Sequence, residues 1–239
     1  MSNPVFSRRG FVRASVAASA GVMIVPRHVL GGSRYRAPSD TLNVAHIGVG
    51  GMGGNDVRGI AKTGENIYAL CDVDEKQAAG SWDAFPRAKR YRDYRIMLEE
   101  DADNIDAVVI STPDHTHTLA GMMALSLGKP TRIQKPLART IWEVRQLMQA
   151  AETAGVPTQM GNQGHAQEGT RQIREWYEAG AIGTIQRVEY WTNRPIWPQA
   201  IQRPTEAYYT PPGMEWDLWL APAPERPCHP AYAPFKWRG

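Results

Sequence analysis

The 239-residue chain holds only two cysteines, Cys71 and Cys228. They form no zinc spacing and no disulfide framework. Cys71 lies in a short apolar run and reads as a small core residue. No internal repeat and no low-complexity block is visible. No apolar run is comfortable as a membrane span: the stretch Ala14–Val25 is short and only mildly apolar. Acidic residues are missing from positions 1–36, which carry Arg8, Arg9, Arg13, Arg27, Arg34 and Arg36. Without those six arginines, 21 basic residues face 24 acidic ones. The formal charge of +3 therefore belongs to the N-terminal stretch and argues against a nucleic-acid face. Hydrophobic content of 42% with mixed charge fits a soluble globular protein.

What is present begins with Ser7-Arg8-Arg9-Gly10-Phe11-Val12-Arg13, a twin-arginine pattern followed by the Ala/Ser/Val/Gly stretch. It predicts a signal segment over 1–36, the twin-arginine export machinery as a partner, and a periplasmic location. A basic tail that happens to contain Arg-Arg is the plainer alternative. Export of an already folded chain suits a protein that loads a nucleotide first.

Residues 42–72 are the most informative. An apolar run ends at Ile47; Gly48-Val49-Gly50-Gly51-Met52-Gly53 follows; then come a helical run, a second apolar run and Asp72. Gly48 suits a tight turn, Gly50 a close approach of backbone to a pyrophosphate, and Gly53 close helix–strand packing. The helix N-terminus offers unpaired N–H groups and a positive dipole end to phosphate. Asp72, 19 residues past Gly53, is placed to accept from ribose hydroxyls. Asp72 and Asp74 would repel a 2′-phosphate, so NAD is expected over NADP. A merely structural glycine turn is the alternative.

Strand-like runs over 42–47, 66–71, 105–111, 131–134 and 157–161 alternate with helix-like segments at 53–62, 75–84, 94–100, 117–127, 140–154 and 166–179. The strands lack polar alternation, as parallel strands covered on both faces do. The order predicts an α/β fold with a doubly wound parallel sheet, ligands lying at the carboxyl ends of its strands. Thr140 and Glu143 form a capping box, and Gly155 then Pro157 stop that helix. Gln186–Thr192 alternates like a strand with one wet face. Residues 195–239 hold ten prolines and four tryptophans without a helical period, so these loops need something to lie against. The expected division is 1–36 signal segment, 37–162 dinucleotide domain and 163–239 the start of a second, incomplete domain. A loop-rich appendage wrapping the first sheet is the alternative.

Three segments follow strand ends: Thr112-Pro113-Asp114-His115-Thr116-His117, Gln134-Lys135-Pro136 and Gly161-Asn162-Gln163-Gly164-His165. Asp114, His115 and His117 suggest a metal corner, but no distant third ligand is evident, and no metal is expected. Asp114 or Thr116 is expected to cap the next helix, with the histidines at the site edge. His46 reads as a satisfied core histidine, and His165 faces substrate or solvent. Trp191 and Trp197 either stack on a sugar or pack, with packing favoured.

With the glycine fingerprint and Cys71-Asp72-Val73-Asp74, these segments resemble the glucose–fructose oxidoreductase, inositol dehydrogenase and rhizopine catabolism (Gfo/Idh/MocA) family from about Leu42 onward. The run Trp191–Pro198 resembles exported members in particular. The resemblance implies an NAD(P)-binding Rossmann domain followed by an α+β domain with an open antiparallel sheet, which often makes homo-oligomer contacts. It implies hydride exchange between NAD and a sugar or cyclitol hydroxyl. The family's Glu-Lys-Pro motif maps onto Gln134-Lys135-Pro136. Lys135 would bind the reacting hydroxyl and assist proton transfer as the catalytic residue, its ammonium brought nearer neutrality by burial; an exposed lysine in a turn is the alternative. Cofactor contacts would come from Gly48, Gly50, Gly51, Met52, Gly53, Asp72, Thr112, Pro113, His117 and Gln134. Substrate contacts would come from Lys135, Asn162, Gln163, Trp191 and Arg194.

Two departures matter. Gln134 replaces the motif's Glu, and no residue maps onto the family's later catalytic His and Asp. Export also implies a cofactor that stays bound and is recycled. A glycosidase using transient oxidation and elimination is one alternative; a non-catalytic NAD-binding fragment is another.

Overall fold

A computed structural model describes residues 36–194, 199–206 and 208–238. The twin-arginine pattern and Trp197 lie outside the described residues. The described residues fall into two units that divide after Thr41. In the first, Pro38–Asp40 forms a 3₁₀ turn.

The second unit is built on six strands: β1 (Asn43–Ile47), β2 (Asn66–Cys71), β3 (Lys89–Tyr91), β4 (Ala107–Ile110), β5 (Thr131–Gln134) and β6 (Thr158–Gly161). Their spatial order is β3-β2-β1-β4-β5-β6, every neighbouring pair parallel. The chain therefore reverses direction across the sheet between β1 and β4, where a crevice opens at the carboxyl ends. The expected Rossmann-type α/β architecture is present.

Burial on both faces explains the apolar strands. Ala45, Ile47, Ala69 and Cys71 pack with Met97 and Leu98 of α3 (Tyr94–Asp101) and with Ala120 and Ala124 of α4 (His117–Ser126). On the other face Ile67 and Leu70 meet Val57 of α1 (Gly51–Lys62) and Ala78 of α2 (Glu75–Ala84). The outer helix α5 (Ile141–Ala154) carries the expected capping box, and Gly155 ends it at φ 63°.

Four features differ from expectation. β3 has the sequence Lys-Arg-Tyr, no apolar run, because it is an edge strand. β6, the opposite edge, exposes Thr158, Gln159 and Met160 instead of being covered on both faces. Gln186–Thr192 forms no regular element and pairs with no strand among the described residues, and a strand needs a partner's hydrogen bonds. The preceding α6 (Glu168–Glu178) buries none of its residues; Ile173, Trp176 and Tyr177 face outward.

The fourth is a short helix, α7 (Trp216–Leu220), inside the proline-rich tail. Met214, Trp216, Trp219, Leu220 and Cys228 bury together, with Val73 packed against them. Glu215 N donates to Val73 O (2.8 Å), Glu75 N to Gly213 O (3.0 Å), and Met214 bridges Asp74. Thus the tail lies against the carboxyl end of β2.

Candidate active site at the carboxyl edge of the sheet

The turn after β1 is set by contact as much as by torsion. Gly48 has φ +78°, and a Cβ there would lie 2.8 Å from Ser111 C and Thr112 N, the turn after β4. A Cβ on Gly53 would collide with the Gly48 carbonyl oxygen. Only glycine lets the two turns and α1 meet here. A Cβ on Gly50 would lie 2.7 Å from Gln77 Cβ, so this position also sets the approach of α2. Gly50 occupies the N-cap of α1 without any side-chain cap, leaving the first-turn amides to a ligand.

Asp72 holds this loop. Its Oδ2 accepts from Val49 N (2.8 Å) and Gly50 N (3.1 Å), and its Oδ1 from Asp74 N (3.0 Å). Burial raises its pKa, and the three amides oppose that rise. A carboxylate has about four acceptor sites, so Asp72 keeps capacity for a ribose hydroxyl while it lines the cavity. Ser81 Oγ donates to Val49 O at 2.6 Å from the other side. Asp74 caps α2 through Lys76 N and Gln77 N.

The cavity runs along the loop, lined by the predicted cofactor positions Gly48, Gly50, Gly51, Met52, Asp72, Thr112 and Pro113, while Gly53 packs behind. Gln134 and His117 are placed differently. Gln134, 4% exposed, donates from Nε2 to Asp56 Oδ2 at 2.7 Å, and its Oε1 accepts from Lys135 N at 3.2 Å. His117 is fully buried; Nδ1 meets Pro136 O (2.7 Å) and Nε2 meets Thr112 O (2.9 Å). His117 ties two loops together and Gln134 ties β5 to α1, because buried polar groups require partners.

Asp56, on the inner face of α1 between Gly53 and Val57, was not legible as a site residue. It accepts from Gln134, from Ser111 Oγ (2.7 Å) and from Arg132 at 3.2 Å. Burial works to raise its carboxyl pKa, but the bonds from Gln134 and Ser111 and the Arg132 charge together hold it below the ordinary value. His46 lies nearby. Burial, outweighing the Asp56 charge, lowers its pKa to about 4. Its Nε2 has no partner among the described residues, so it is not the satisfied histidine expected.

His115 turns toward the tail: Nε2 meets Trp219 O at 2.7 Å. Burial lowers its pKa, against the carbonyl's opposite effect. No side chain caps α4; Thr116 Oγ1 instead contacts Thr112 Oγ1 (2.6 Å) and Pro113 O (2.9 Å). Lys135 is exposed rather than buried, on a loop with a cis Lys135–Pro136 peptide. Asn162, exposed, and the half-buried Gln163 follow β6 at the same sheet edge. Trp191 is 87% exposed and therefore not packed, and Arg194 is exposed; neither lines the cavity. His165 is exposed in a 3₁₀ turn.

A cradle of glycines, an uncapped helix start and a carboxylate at the end of β2 fit a dinucleotide. The comparisons agree. D-apiose dehydrogenase from Paraburkholderia graminis is 33% identical over 121 residues, 51% of this chain and 32% of that protein. Inositol 2-dehydrogenase 2 from Saccharopolyspora erythraea is 31% identical over 60% of this chain and 42% of that protein. The chain thus spans well under half the length of these relatives. Among solved structures, an Agrobacterium radiobacter oxidoreductase in complex with NAD+, L-tartaric acid and magnesium superposes with TM-score 0.55 at 27% identity, over 60% of this chain and 42% of that one. The Lactobacillus plantarum myo-inositol 2-dehydrogenase gives TM-score 0.55 at 25% identity, over 61% and 43%. The Gfo/Idh/MocA model, described as an oxidoreductase family with an NAD-binding Rossmann fold, matches residues 42–162, and the chain belongs to that family.

Proposed function

We propose that this chain is part of an NAD-dependent oxidoreductase that exchanges hydride with a CH–OH of a sugar or cyclitol. The observation that carries the reading is the shared edge. The glycine loop and Asp72 stand at the ends of β1 and β2, and Lys135 and Asn162 follow β5 and β6 in the same parallel sheet. The apiose and inositol dehydrogenase relatives suggest the substrate class.

Bound NAD supplies the hydride acceptor or donor. The first-turn amides of α1 hold the pyrophosphate, and Asp72 accepts from the adenosine ribose. Lys135 orients the reacting hydroxyl; in the reducing direction its ammonium gives the oxygen a proton while the carbon gains the hydride. Asn162, Gln163, Trp191 and Arg194 belong to the substrate side of this reading. So do residues 163–194, whose outward apolar side chains suit the beginning of a substrate domain.

The same reading takes Arg8 and Arg9 as a twin-arginine export signal for a folded, periplasmic enzyme that keeps and recycles its NAD. Recovery of the periplasmic protein with one NAD, by native mass spectrometry, tests this part.

The catalytic part is tested with the full-length protein. Lys135→Ala should lower sugar-dependent turnover about 10²-fold or more, with NADH affinity nearly unmoved. Unchanged turnover removes Lys135 from the mechanism. Net glycoside hydrolysis without NADH accumulation would indicate transient oxidation and elimination instead. NAD binding without turnover on any sugar would indicate a binding protein.

A further inference from the structure

We infer that the tail segment Gly213–Trp237 is part of the dinucleotide site, a strap that closes over the adenosine half and slows its release. The inference rests on the dinucleotide reading above.

The strap crosses the crevice and is tied on both banks. On the β2 side Gly213 and Glu215 exchange backbone hydrogen bonds with Val73 and Glu75. Arg92 also pairs with Glu215 at 2.6 Å and with Glu75. On the β4 side His115 meets the Trp219 carbonyl at 2.7 Å. The His115 ring packs edge-on against Trp219 and Trp237, with centroids 5.2 and 5.6 Å apart. Between the ties lies the cavity. It is lined by the glycine loop and Asp72 from the sheet edge and by Leu218, Trp219, Phe235 and Trp237 from the strap.

The two walls differ chemically as the two aspects of a nucleoside do. Backbone amides and a carboxylate suit phosphate and ribose hydroxyls. Flat aromatic rings suit the face of a purine, since stacking needs no particular hydrogen-bond pattern. The carboxylate at the end of β2 assigns this end to adenosine rather than nicotinamide. The ring contacts are made only with the bound base and must be broken for release, so the strap should act on dissociation more than on association.

The experiment follows release of NADH from the full-length protein by its fluorescence after a chase with excess NAD. Trp237→Ala and Glu215→Ala should each speed release about tenfold, with association changed much less. Trp237→Leu keeps the apolar volume without the ring and should also speed release, should the alanine variant fail to fold. Release rates within about twofold of wild type in a folded variant overturn the strap and leave the dinucleotide reading standing. Failure of the wild-type protein to bind NADH overturns both.

Discussion

The two halves of the sheet's carboxyl edge are unequally finished. Around β1 and β2 the turns interlock, Asp72 satisfies three amides, and the tail supplies an apolar wall. Around β5 and β6 Lys135 and Asn162 are exposed, β6 exposes Thr158, Gln159 and Met160, and α6 carries its apolar side chains outward. A dinucleotide site can be complete within one βαβ unit, because its ligand is recognised mainly by backbone and one acid. A substrate site needs side chains brought from several elements, so it depends on how those elements pack. Asp56 joins the halves, linking the turn after β4 to Gln134 of β5.

The largest effect is expected where the halves meet. Asp56→Ala strands Arg132 and Gln134 beneath the loops and should cost about 3–5 kcal/mol in denaturant unfolding. The Asp56 carboxyl is held below 3.8, so its stabilisation is present above that value and lost as pH falls through the lower folded value. The gap between wild type and variant should therefore shrink in acid. A gap constant down to about pH 2 would show that the carboxylate charge is not what joins the halves.

Asp72→Ala acts on the finished half alone. It removes the acceptor for Val49 and Gly50 and should weaken NAD binding about 10- to 100-fold, roughly 1.4–2.7 kcal/mol, while relaxing discrimination against NADP. Titration with both nucleotides decides this: an unmoved preference means Asp72 serves the loop and not the ribose. The smallest effect is expected far from the edge. Thr140→Ala breaks the capping box of α5 and should cost about 1 kcal/mol, measured by thermal unfolding, with NAD affinity unchanged. Altered affinity there would contradict the separation of scaffold and site.

Much of the first half was legible because its signals are local. The apolar runs at 43–47, 66–71 and 107–110, the capping box at Thr140 and the glycine fingerprint each act within a few residues. Asp56 was not legible: its partners Ser111, Arg132 and Gln134 all lie 55 or more residues away. β3 was missed because an edge strand needs no apolar run. Gln134 and His117 carry polar groups that suit either a ligand or a buried link between loops, and only packing chose the link.

By itself the sequence determined the alternation of apolar strands with helices, the parallel sheet and the glycine turn, since periodicity and steric demand act along the chain. The tertiary structure decided which acid holds the loop, which polar groups point inward, and that a proline-rich tail of no evident period lines the cavity with Trp219 and Trp237. Those outcomes depend on distances between residues far apart in sequence, fixed only when the two layers of helices close on the sheet.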